Sequence, residues 1–139
     1  MLDKKGRGQQ PPPNFRRTNM KPLTQSMQKQ LSYEPANKAA FHREAKKVLR
    51  KVAKSMNLST GEYDVRSNMG GIAVSGEITL HTDNVYVQVS QPCFGTGNEV
   101  MYRKCKGRKD FCGEQNNFAP VEDLEHVNSF ACRFLNIIN

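Results

Sequence analysis

The chain has 139 residues and a formal net charge of +8, room for one domain of ordinary size. Its charge is divided: residues 1–60 hold 14 Lys and Arg against 3 Asp and Glu, an excess of +11, whereas residues 61–139 hold 7 against 10, a balance of −3. No apolar run approaches the roughly 20 residues that span a bilayer, and Met1-Leu2-Asp3-Lys4-Lys5-Gly6 lacks the apolar core of a signal peptide.

These bounds read as a cytoplasmic protein with no membrane partner and no cofactor. Cys93, Cys105, Cys112 and Cys132 suit thiols in a reducing compartment, and no two of them have zinc-knuckle spacing, so no metal is expected. Convergence of Cys93, Cys105 and Cys112 in neighbouring loops is the weaker alternative.

Residues 1–33 have the composition of a disordered basic arm: Gln9-Gln10, the run Pro11-Pro12-Pro13, scattered cations, and too few large apolar residues to offset the entropy of ordering. Within it, Phe15 stands beside Arg16 and Arg17, with Lys21 following. An aromatic ring next to guanidinium groups can stack on a base and hold phosphates, or can anchor the arm to another protein. Residues 34–139 are then expected to form a single α+β domain, with an N-terminal helix, three to four antiparallel strands and a C-terminal helix.

The first helix is predicted from Pro35 to Met56, because proline suits the first helical turn and Phe41, Ala45, Val48, Leu49, Val52 and Met56 recur at helical spacing. On its other face Arg43, Lys47, Arg50 and Lys54 follow i, i+4, i+7, i+11 and form a basic ridge. Glu44 is the only acid there. A helix facing only water usually intersperses acids among its cations, so this self-repelling ridge points to an anionic partner.

Ser59-Thr60-Gly61 is a turn, after which Tyr63, Val65 and Ser67 alternate with Asp64, Arg66 and Asn68 as a first strand. Met69-Gly70-Gly71 reverses the chain into a hairpin spanning 72–91, interrupted at Gly76 by a bulge or a close backbone approach. Ile72, Val74, Ile78 and Leu80 are predicted on the buried face with Val85, Val87 and Val89. If Asp83-Asn84 forms the turn, His81 pairs with Tyr86, Thr79 with Gln88, Glu77 with Ser90, Leu80 with Val87 and Ile78 with Val89. A loop over 92–98 leads to a strand from Glu99 to Cys105. The stretch Lys106 to Asn117 is a densely polar loop in which Arg108 and Lys109 are further candidate phosphate contacts. Pro120 opens a C-terminal helix whose buried stripe is Leu124, Val127, Phe130, Ala131, Phe134, Leu135 and Ile138, with a break at Asn128-Ser129.

Gly70, Gly71, Gly76, His81, Gln88 and the run Gly107-Arg108-Lys109-Asp110-Phe111, with Gly113 and Asn117, resemble small uncharacterised proteins of tailed bacteriophages over roughly residues 65–118. The resemblance implies an origin in the cytoplasm of an infected bacterium, or in the virion, and no particular chemistry. The order of elements is also similar in topology to a double-stranded-RNA-binding domain, but Glu122, Asp123 and Glu125 stand where that family carries phosphate-binding lysines.

The leading functional reading is a binding module that holds nucleic acid through its backbone, using Arg16, Arg17, Lys21, Arg43, Lys47, Arg50, Lys54, Arg108 and Lys109. The alternative is a protein-binding phage factor, either an inhibitor of a host enzyme or a virion component, whose arm wraps an acidic protein surface. Catalysis, as a hydrolase or nuclease, is the remote reading. It would rest on His81, and because Glu77 lies roughly 13 Å away along the strand, His81 would need Asp64, Asp110 or a loop ligand.

Overall fold

The computed structural model describes residues 22–91 and 99–138. Arg16, Arg17, Lys21 and Cys93 lie outside these residues. The elements are α1 (Pro22–Ser26), α2 (Pro35–Ser55), β1 (Tyr63–Asn68), β2 (Glu77–Thr82), β3 (Val85–Ser90), β4 (Glu99–Lys104), β5 (Asn117–Pro120), α3 (Val121–Leu124) and α4 (Val127–Ile138). The strands form one antiparallel meander in the order β1-β2-β3-β4-β5.

The β2–β3 register is the one the two-residue alternation requires: His81 faces Tyr86, Thr79 faces Gln88, Glu77 faces Ser90, Leu80 faces Val87 and Ile78 faces Val89. A slip of one residue would place the valines in water. The turn is fixed by Thr82, whose Oγ1 accepts from the backbone N–H of Asn84 at 3.1 Å and of Val85 at 3.0 Å. Ile72 and Val74 do not belong to this ladder. They stand in an exposed loop, 63% and 38% accessible, because β2 starts only at Glu77. Gly76 explains the late start: its φ of 73° lies in the left-handed region, and a side chain there would collide with the carbonyl oxygens of Asn68 and Met69.

The sheet has five strands rather than three or four. β5 pairs Ala119 with Val100 and Phe118 with Met101. Four residues flanked by amides carry no readable alternation, and Pro120 is tolerated because it ends an edge strand. Ala119 and Val100 are buried, and Phe118 on the opposite face is exposed.

The helices cover one face of the sheet. Phe41, Ala45, Leu49 and Val52 of α2 are wholly buried in one cluster with Ile78, Leu80, Val85, Val87, Val89 and Val100. Phe130 and Phe134 of α4 close it against Tyr102, with ring centroids 5.6 and 5.3 Å from the tyrosine ring. The C-terminal helix breaks at Glu125-His126, three residues ahead of the expected Asn128-Ser129, and Leu135 is 40% exposed rather than part of the buried stripe.

The folded region begins well before residue 34. Leu23, Met27 and Leu31 repeat every four residues and all belong to the core. That short stripe was masked in sequence by the polar residues around it. Distant side chains pin both ends of α1: the Glu125 carboxylate accepts from Thr24 N–H at 2.9 Å and Thr24 Oγ1 at 2.5 Å, while Gln91 Nε2 donates to the carbonyls of Met27 at 3.2 Å and Lys29 at 2.9 Å. Five residues cannot hold a helix by propagation alone, so these tertiary bonds and the buried leucines define it.

Candidate nucleic-acid interface

Because one stripe of α2 is committed to the core, the opposite side is presented to solvent by geometry. Arg43, Lys47, Arg50 and Lys54 are all exposed on it. From Arg43 to Lys54 the helix advances ~16.5 Å at 1.5 Å per residue. Glu44 is shared by its neighbours, 3.4 Å from Arg43 Nε and 3.4 Å from Lys47 Nζ. Arg50 and Lys54 have no ion pair with any described residue. The ridge is therefore a row of cations on a rigid support, half of it without a counter-charge.

Lys38, at the other end of the helix, is different. It is buried and donates to the Gly71 carbonyl at 2.8 Å, so it secures the 69–76 loop instead of joining the ridge.

Arg108 and Lys109 do not extend the ridge. The sheet separates them from it: Gly107 packs on His81, whose side chain lies on the face away from the helices. Arg108 is also occupied, with Nε 3.1 Å from Asp83 Oδ1, one terminal nitrogen 3.6 Å from Asp64 Oδ2 and the other donating to the Gly61 carbonyl at 2.8 Å. It ties three loops together, and a phosphate would have to displace two carboxylates to reach it. Lys109 is exposed.

The loop over this second face is built around Asp110. Its carboxylate accepts from the backbone N–H groups of Lys106 at 2.9 Å, Cys112 at 3.1 Å and Gly113 at 2.9 Å, and these bonds hold its pKa below the ordinary carboxylate value. Arg103 then reaches up from β4 to the Phe111 carbonyl and to Asn116 Oδ1 at 3.1 Å, its guanidinium 4.4 Å from the centre of the Tyr86 ring. Phe111 is thereby fixed above the sheet, edge-on to His81 with centroids 5.2 Å apart.

These contacts occupy the groups that catalysis would use. His81 is wholly buried and its Nε2–H donates to the Gly107 carbonyl at 2.9 Å, while both Asp110 oxygens are engaged by backbone. Among the described residues no three potential ligands converge on a metal position. No described helix is long and apolar enough to cross a membrane.

Beside this loop lies a hollow of about 330 Å³ lined by Arg66, Asn68, Glu77, Thr79, Tyr86 and Phe111. Glu77 was visible in sequence as part of the polar strand face. Arg66 and Phe111 were not associated with it, because they approach only when β1 pairs with β2 and the loop folds back. A lone aromatic inside a polar loop was the available signal.

No family model matches the chain, and it matches no curated protein and no solved structure.

Proposed function

We propose that the chain is an accessory protein, of the bacteriophage kind that residues 65–118 resemble, that binds nucleic acid non-specifically through the phosphate backbone. The observation that carries this reading is the exposed row Arg43, Lys47, Arg50 and Lys54 on one side of α2, with Glu44 as its single acid. Arginine would hold phosphate oxygens by its planar fork and lysine as a point charge. Arg16, Arg17 and Lys21 would add contacts from the arm. Arg108 and Lys109 are left out of this interface, since they stand on the far side of the sheet.

The test replaces Arg43, Lys47, Arg50 and Lys54 together with Gln and measures affinity for duplex and single strands over a range of salt. Each lost phosphate contact lowers the slope of log affinity against log salt by about 0.9 for duplex DNA and about 0.7 for single strands, so the fourfold variant should be flatter by about 3 units. An unchanged slope would remove the ridge from the interface. Failure of the wild type to bind any strand at low salt would end the reading.

A protein partner is the second reading, favoured by a separate apolar surface. Tyr33 and Ile72 are 60% and 63% exposed, and Tyr33 N–H donates to the Ile72 carbonyl at 2.7 Å, so these two stand together, with Met69, 43% exposed, in the same loop as Ile72. A complex that survives nuclease and high salt but is lost in Ile72→Asp would select this reading over the first.

A further inference from the structure

The hollow on the helix-free face has a hydrogen-bonding pattern that the ridge does not use. Asn68 on β1 faces Glu77 on β2 directly, and in the next row on the same face Arg66 stands opposite Thr79. Directly opposed residues on one face have their Cβ atoms about 4.5–5.5 Å apart, so the Asn68 and Glu77 side chains leave the sheet side by side, and both line the hollow. The Asn68 amide is oriented: its Oδ1 accepts from Gly70 N–H at 3.1 Å, which turns Nδ2 toward another partner. Glu77 makes no hydrogen bond or ion pair with any described residue, because Arg66 pairs instead with Asp64 at 3.4 Å. The rim therefore presents two carboxylate acceptors followed by an amide donor.

We propose that this hollow binds the guanine base. Guanine carries, along its Watson–Crick edge, two adjacent N–H donors at N2 and N1 and then the O6 acceptor, the complement of that array. The Glu77 carboxylate accepts from N2–H and N1–H, and Asn68 Nδ2 donates to O6. Adenine and cytosine place a ring acceptor beside their amino group, where it meets carboxylate oxygen lone pairs. Uracil has a single N–H between two carbonyls. Phe111, 57% exposed, supplies a face for the base to stack on, and Tyr86 also lines the hollow. Arg66 stands 6.0 Å from the Phe111 centroid, at the outer limit of a cation–π contact. Its ion pair with Asp64 is solvent-exposed, so the guanidinium can exchange that carboxylate for a phosphate at the rim. At about 330 Å³ the hollow is near the lower bound of ligand pockets and suits one nucleoside. The Glu77 carboxylate disfavours phosphate beside it, so what is read there is the base.

The inference does not rest on the α2 ridge, which lies across the sheet. Calorimetric titration of the full chain with GMP, IMP, AMP, CMP and UMP tests it. GMP should bind, IMP, which lacks only the N2 amino group, should bind about tenfold more weakly, and the other three more weakly still. Glu77→Gln should abolish the preference for GMP over IMP, since an amide offers one acceptor and a competing donor. Phe111→Ala should weaken all binding. Should Glu77→Gln fail to fold, the comparison of GMP with IMP on the wild type still decides. A strand of thymidines holding a single dG, compared with GMP, distinguishes a base within a strand from a free nucleotide. Equal affinity for GMP and IMP, a Glu77→Gln variant that keeps the preference, or no saturable binding of GMP at millimolar concentration would each overturn the assignment.

Discussion

His42 and His81 are held as neutral rings, and their bonds fix the tautomer. Each Nε2 faces a carbonyl, Ser75 at 2.8 Å for His42 and Gly107 at 2.9 Å for His81, so Nε2 carries the hydrogen in both. His42 Nδ1 then accepts from Ser67 Oγ at 2.6 Å, whereas His81 Nδ1 is buried with no hydrogen-bond partner among the described residues. Burial is the main reason that both pKa values fall below 6.5, with the lysines at 38 and 46 adding to it at His42 and Arg66 at His81. The unfolded chain therefore takes up protons before the folded one. Their stabilisation is complete above about pH 6.5 and is lost as pH falls through the lower folded values. Melting temperature should accordingly drop between pH 7 and pH 5, and His81→Gln, which keeps a donor and an acceptor but does not titrate, should show a shallower drop. An equal drop in that variant would place the acid sensitivity elsewhere. Asp110 titrates in a separate window. Its pKa lies below 3.8, so the three backbone bonds it accepts persist until pH falls further still. Asp110→Ala should accelerate amide exchange at Lys106, Cys112 and Gly113 and leave the β2–β3 ladder protected. Unchanged exchange at those amides would mean that Arg103 alone holds the loop.

At the scale of the elements, the two faces of β3 differ in what they tolerate. Val87 is wholly buried in the helix-covered core, and Gln88 is half-buried on the other face. Val87→Asp should unfold the domain, because an unpaired carboxylate in that core has no partner, while Gln88→Asp should change the melting temperature little. Equal losses would mean that the loop face is packed as tightly as the core. Leu31→Ala should cost about 2–5 kcal/mol if the segment before α2 is a core element, and near zero if it is a tail. Urea unfolding of that variant separates the two. These same elements show what the sequence could reveal. The hairpin register was legible since Ile78, Leu80, Val85, Val87 and Val89, in strict alternation, admit one pairing, and α2 was legible since its stripe is long. α1 was not, because three apolar residues over nine positions are indistinguishable from a tail until Glu125 and Gln91, about a hundred and about sixty residues downstream, cap its ends. Of the candidate site, the ridge was readable from helical spacing alone. The inward commitment of Arg108 and the meeting of Arg66, Glu77 and Phe111 depend on loop closure, which no local pattern encodes.

For the molecule as a whole, the charge division sets how salt acts on it. α2 carries Lys38, Arg43, Lys46, Lys47, Arg50, Lys51 and Lys54 against Glu44 alone, so in the absence of a partner the helix repels itself. Like charges at i,i+4 destabilise a helix by about 0.2–0.5 kcal/mol per pair, and only Lys54, in the last turn, gains from the helix dipole. The Debye length is about 10 Å at 0.1 M, shorter than the ~16.5 Å ridge, so added salt screens much of this repulsion. Raising sodium chloride from low concentration should therefore raise the melting temperature of the free protein, and the rise should be smaller when Arg43, Lys47, Arg50 and Lys54 are Gln. With a bound strand the sign reverses. A strand that binds only the folded state raises the melting temperature at low salt by mass action, and that gain disappears as counterions compete for the phosphates. Plotted against salt, the curves for free and strand-saturated protein should converge from opposite directions. A free-protein curve that falls with salt, or one unchanged by the four substitutions, would show that the ridge is already neutralised within the chain and is not held in reserve for an anionic partner.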